Sequence, residues 1–295
     1  MRSLAALTLL LAASIHAHAA PPPTAGVTAA LATIIAGYGN IPKAMKPPRF
    51  AITNDDVAES PGDWGGLLVP TRAPSGTLRA PLAGVSADGT GGWVATDIAV
   101  ARCQRGANPN DSSGDSSYFE DENCMWEQPG AFARGALVVT RVGEAWQPVA
   151  WHLYGVAPRY VGPAPLTALT AKLEPGAKDA AALFEASVGD PRALIKTLSP
   201  RKDVVLFGSA KAERFVGAAQ IGATLTRWNL GFKPRGATVA GTAGPSVAWV
   251  AANLEATSLG KTKGKPSLYR ALFVYERVAD AWLLVQASFS DVAAP

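Results

Sequence analysis

Apolar and polar residues alternate with period two from Arg270 to Val278 and again from Ala281 to Asp291, around a tight turn at Val278–Asp280. That pattern predicts two antiparallel strands joined as a hairpin. A third alternating run covers Val247–Thr257, with a turn at "LGKTKGKPS" separating it from the hairpin. Upstream, "KDAAALFEASVGDPRALIKTLS" and "AERFVGAAQIGATLTRW" carry helical spacing, and the short run "DVVLFGS" between them reads as a strand. In the first half, "GVTAALATIIAGYG" predicts a helix, while "FAITNDDVAESPGDWGGLLVP" is too broken by Pro and Gly to place a second one.

The strand-like part of the chain is written twice. Aligned without gaps, Leu137–Val156 and Phe273–Val292 are identical at Val138/Val274, Arg141/Arg277, Val142/Val278, Ala145/Ala281, Trp146/Trp282, Val149/Val285 and Val156/Val292. An upstream pair matches as well, "WVATDIAVA" from Trp93 and "WVAANLEAT" from Trp249. Two matched segments in the same order predict a duplicated domain. The first copy carries an insert from Cys103 to Cys124, rich in Gly, Asn, Asp and Ser, and the boundary falls in "YVGPAPLT". Helices followed by antiparallel strands in each copy predict an α+β class.

The ends and the composition set the compartment. Arg2, an apolar run from Leu4 to Ile15 and the small-residue pattern Ala17–His18–Ala19 read as a secretory signal peptide cut after Ala19. The expected organisation is therefore a signal peptide at 1–19, a first domain at 20–162 and a second at 163–295. The apolar run is too short to span a bilayer, so stable membrane insertion is not expected. Export to a periplasmic or extracellular compartment favours a Cys103–Cys124 disulfide closing the insert, worth on the order of 3 kcal/mol. Two buried free thiols are the alternative. Net charge is +4 with the basic residues scattered, which argues for solubility rather than nucleic-acid binding. Apolar residues make up 48%, enough for a sizeable core.

"DVVLFGSAKAERFVG", "WVAANLEA" and "ALFVYERVADAWLLVQASFS" resemble the SnoaL-like domains of the nuclear transport factor 2-like superfamily. The resemblance covers most of 178–292 and, through the repeat, the sheet part of 83–156. It implies two tandem cones, each a curved antiparallel sheet wrapped around helices with a pocket at the open end. The superfamily includes isomerases, cyclases and dehydratases as well as non-catalytic binding and assembly modules, so fold alone does not assign activity. The family's last strand carries two histidines. This chain has Gln286 and Ser288 there in the second copy, and Ala150 and His152 in the first.

The mature chain keeps one histidine, and strand alternation makes it the centre of the candidate chemistry. Trp146, Ala150, His152 and Tyr154 share a face, matched by Trp282, Gln286, Ser288 and Ser290, and this polar face is expected to point into a cone or at solvent. Asp97, on the face of Trp93 and Ala95, pairs in this reading with His152 as an acid–base dyad. The competing reading is a half-buried histidine and an unrelated, solvated aspartate. Tyr154, Asn253, Glu255, Tyr275, Gln286 and Ser288 are the expected ligand contacts. Glu255 is also a candidate carboxylate base if burial raises its pKa. Trp146 and Trp282 are read as core. The acidic insert (Asp111, Asp115, Glu120, Asp121, Glu122) fits no EF-hand spacing, and "LGKTKGKP" lacks the first glycine of a phosphate loop. No cofactor or metal is expected. Together these residues suggest non-catalytic binding of a small apolar molecule or a protein partner. An isomerase- or hydrolase-type enzyme using the first pocket, and a structural pseudo-dimer held inside one chain, are the alternatives.

Overall fold

The structure, a computed structural model, describes residues 24–36, 49–52, 57–58, 76–100, 132–155, 168–260 and 266–292. The signal-peptide segment and the insert with Cys103 and Cys124 lie outside these residues. No disulfide occurs among the described residues, and both cysteines of the expected Cys103–Cys124 bridge lie outside them.

Two sheets hold the strands. The first contains β1 (Phe50–Ile52), β2 (Val57–Ala58), β3 (Gly76–Val85), β4 (Gly91–Val100), β5 (Phe132–Val142) and β6 (Ala145–Gly155), in the order β2-β1-β6-β5-β4-β3. The second contains β7 (Lys172–Leu173), β8 (Val205–Phe207), β9 (Arg214–Val216), β10 (Leu230–Thr242), β11 (Val247–Ser258), β12 (Ser267–Val278) and β13 (Ala281–Asp291), in the order β7-β10-β11-β12-β13-β8-β9. Apart from β7, the second order is the first repeated. β1 runs parallel to β6 with Ile52 opposite His152, and β8 runs parallel to β13 with Phe207 opposite Ser288. The irregularities recur too. Register slips between Val138 and Val139 in β5 and between Val274 and Tyr275 in β12, and between Arg79 and Leu82 in β3 and Pro234 and Thr238 in β10.

Helix α1 (Ala25–Ala36) covers one face of the first sheet. Val27, Ala30 and Leu31 pack there on Val94, Leu137, Val139, Trp151 and Leu153. The second sheet carries α2 (Lys178–Ser187), α3 (Pro191–Lys196) and α4 (Ala218–Trp228). The expected single helical stretch of 178–199 divides at Gly189–Asp190–Pro191. The Asp190 side chain accepts from the Arg192 N–H and Pro191 opens the new helix, so the local sequence caps α3 rather than prolonging α2. The expected helix from Ala212 instead begins as β9, and α4 starts only after Gly217, whose φ of 85° no helix accommodates. Strand β10 was not expected at all. Its run "LGFKPRGATVAGT" carries Pro and Gly, which the bulge absorbs.

The faces opposite the helices meet each other. Phe50, Trp93, Ala136, Val138, Val149 and Ala150 of the first sheet form one buried cluster with Val239, Val247, Trp249, Leu272, Val274 and Val285 of the second. The layers therefore run helix, sheet, sheet, helix. This corrects the expected curved cones: both sheets are open, their terminal strands lying at opposite edges rather than pairing. A sheet rolled around its helices would present a convex strip to its neighbour. Here the apolar residues on both faces commit each sheet to one layer on either side, as in a face-packed sandwich.

Candidate functional site

Of the polar residues singled out in the sequence, His152, Ser288 and Ser290 meet at the seam between the sheets. His152 of β6 is fully buried, its Nδ1 2.9 Å from Ser288 Oγ and its Nε2 3.0 Å from Ser290 Oγ, both on β13. A neutral imidazole satisfies both contacts by donating from one nitrogen and accepting at the other. Ser288 and Ser290 each face a carbonyl of β12 as well, at 3.5 Å from Leu272 O and 3.4 Å from Arg270 O. Loss of solvation, reinforced by the nearby Arg270 charge, pushes the His152 pKa down to about 3. The Tyr154 ring lies 4.5 Å from the imidazole, and its hydroxyl donates to Gly208 O at 3.3 Å. Burial raises its pKa.

Asp97 is not brought to His152. In register it lies opposite Arg134, which in turn lies opposite Tyr154, whereas His152 aligns with Ala136. Asp97 accepts from Arg134 Nε at 3.0 Å and from Arg214 Nη1 at 2.9 Å. The sequence reading missed Arg134, which is fully buried. Its guanidinium donates to Gly208 O, Ala210 O and Glu213 O from Nη1 and to Lys211 O from Nη2, so one side chain of the first sheet organises a loop of the second. The carbon at its centre lies 4.9 Å from the Phe207 ring centroid. The second sheet writes the same bond with a neutral acceptor: Arg270 Nε donates to Asn253 Oδ1 at 3.2 Å. Extending the repeat by three residues toward the N-terminus pairs Arg134 with Arg270, which was the available signal.

The other expected contacts scatter. Gln286 is fully buried at the seam, and neither amide atom finds a partner among the described residues. Glu255 is half-exposed, 3.9 Å from Arg235. Tyr275 faces the helices of the second sheet in ordinary alternation with Ala271 and Phe273, the extra residue of the bulge, Val285, lying in β13. The buried Tyr275 hydroxyl finds no acceptor among the described residues, and burial raises its pKa. The same slips move Trp146 and Trp282 off the faces of His152 and Ser288 and onto the helix-side cores, so the core reading of these tryptophans agrees with their packing. The space between the second sheet and its helices is filled by Phe184, Phe232, Phe273 and Phe289, with ring centroids 5.0–5.4 Å apart in successive pairs.

The fold and its seam define an α+β protein of two sheets joined face to face by an apolar cluster and a polar layer. No family model matches the chain. No curated protein matches it. Among solved structures it is similar to a protein assigned as a calcium/calmodulin dependent protein kinase II association domain from Xanthomonas campestris, at 22% identity over 44% of this chain and 99% of that one, TM-score 0.35. It is similar to an NTF2-like protein of unknown function from Pseudomonas putida, at 18% identity over 38% and 84%, TM-score 0.32. A cystatin-like fold protein from Burkholderia xenovorans aligns at 26% identity over 41% and 92%, TM-score 0.31. No group of metal-ligating side chains and no helix long and apolar enough to cross a membrane occurs among the described residues.

Proposed function

We propose that this chain is an exported, non-catalytic binding module made of two duplicated SnoaL-like units of the NTF2-like superfamily, locked into an intramolecular pseudo-dimer. The repeated strand order, the two shared bulges and the Asp97–Arg134 and Asn253–Arg270 bonds support the duplication. One observation carries the functional part: His152 is buried between Ser288 and Ser290 and kept neutral, where it joins two sheets instead of facing a substrate. A general base needs reach to a reacting group and a pKa near the working pH; this imidazole has its ring nitrogens engaged and a pKa far below that range. The aromatic filling between the second sheet and its helices favours a protein partner on the outer surface over a small molecule inside.

Native mass spectrometry of the protein purified from the envelope of its own host tests the reading. The expected result is a chain processed after Ala19, without a retained small molecule, in stoichiometric complex with another protein. A small molecule retained by the wild type and lost on Tyr275→Phe would contradict it. So would a turnover activity abolished by His152→Gln in protein of unchanged fold.

A further inference from the structure

His152 and Ser288 occupy equivalent places in the repeat, and they touch. A position that meets its own counterpart lies on the two-fold relating the units. The same exchange recurs away from that axis: Phe50 stacks on Trp249 with ring centroids 5.1 Å apart, while Arg201 lies 5.0 Å over the equivalent Trp93. At the axis, however, the copies differ in size. His152 has Ala136 beside it on the neighbouring strand, whereas Ser288 has Leu272. Tyr154 has Ser290 as its counterpart. One row on, Phe50 lies beside Ala150, and Val205 beside Gln286. All of these side chains are buried, so bulk in one unit answers bulk missing from the other.

We infer that the seam is a recognition surface for unlike pairs: the first unit's inner face accepts the second unit, from its own chain or from another copy, and rejects a second copy of itself. Docked in the same way, a first–first pair puts another imidazole and a phenol where Ser288 and Ser290 stand. Those serine oxygens lie only 2.9 and 3.0 Å from the His152 ring, so the rings would overlap. A second–second pair puts a serine and Leu272 where the imidazole and Ala136 stand, and the serine hydroxyls lose both ring nitrogens. Duplication followed by these exchanges of size turns a symmetric interface into a one-way fit. The inference rests on the intramolecular pseudo-dimer proposed above.

The test uses the full chain with a protease site introduced in "YVGPAPLT" and cut after folding. Nicked ¹⁵N-labelled and unlabelled protein are unfolded in urea, mixed and refolded by dilution, and native mass spectrometry identifies the halves in each complex. Pairing without preference makes about half of the complexes like pairs; the expected like fraction is at least about tenfold lower, with the label scrambled between unlike halves. His152→Ser removes one imidazole from the axis and should raise first–first complexes severalfold above wild type. Bound halves that pair without preference overturn the inference while leaving the pseudo-dimer standing. A first–first fraction unmoved by His152→Ser also overturns it. Halves that stay apart at micromolar concentration overturn both the inference and the pseudo-dimer.

Discussion

Acidification should weaken this protein through His152. In the folded chain the imidazole is buried and holds a pKa of about 3, against an ordinary 6.5 once the chain unfolds. Below about pH 6.5 the unfolded state takes up a proton that the folded state refuses. Stability therefore rises with pH across the window from 3 to 6.5 and is lost as pH falls through it. From pH 7 to pH 4 the difference amounts to about 3 kcal/mol, a large share of a typical domain's stability. Two carboxyls oppose it: burial raises the pKa of Glu276 and of Asp291, so the folded state binds their protons more tightly and gains stability as pH falls. The clean observable is thus the difference between wild type and His152→Gln, which keeps a donor and an acceptor for Ser288 and Ser290 but does not titrate. Urea unfolding at a series of pH values should show the wild type losing about 3 kcal/mol more than the variant between pH 7 and pH 4. Parallel profiles would refute the buried, neutral histidine. So would ring ¹⁵N shifts of native His152 showing an imidazolium at pH 5, a readout that does not need the variant to fold.

Arg134→Met leaves Asp97 with one arginine and removes the guanidinium bonds to the loop carbonyls of Gly208, Ala210, Lys211 and Glu213. The expected cost is about 3–5 kcal/mol, with faster proteolytic cleavage in that loop. Gln286→Met replaces a buried amide lacking partners with an apolar chain of similar length and should raise the urea midpoint by the equivalent of about 1–3 kcal/mol; a loss would mean the amide is satisfied. Ala279 sits at φ 53° in the turn where the first copy has Gly143 at φ 61°. Ala279→Gly should accordingly stabilise by about 1 kcal/mol in denaturant melts, as relief of left-handed strain outweighs the added chain freedom.

The hairpins were legible because each has one period-two pattern and a tight turn, and their repetition exposed the internal likeness. What lies between sheets was harder to read. Ala150, His152 and Tyr154 share a face as alternation predicts, yet a polar face can point at solvent, a pocket or another sheet, and periodicity cannot choose among these. The presence of Trp93, Val138, Leu272 and Val274 on the same inner layer decides it, since both faces of each sheet are apolar enough to be covered. Bulges hid the rest. Val149 and Val285 are extra residues in their strands, so the parity carried from His152 back to Trp146, or from Ser288 back to Trp282, comes out reversed. Asp97 and His152 looked like a dyad because strand position alone leaves register free; two residues of register separate them.

If the two sheets form one body, they must open together. Native-state hydrogen exchange on the slowest amides of β6 and β13 measures this directly, because these strands supply the His152, Ser288 and Ser290 contacts from opposite sides. The expected result is a single opening free energy shared by both sheets and lowered equally in both by His152→Gln. Two distinct opening energies, with the substitution felt only in the first sheet, would contradict a permanently joined pair.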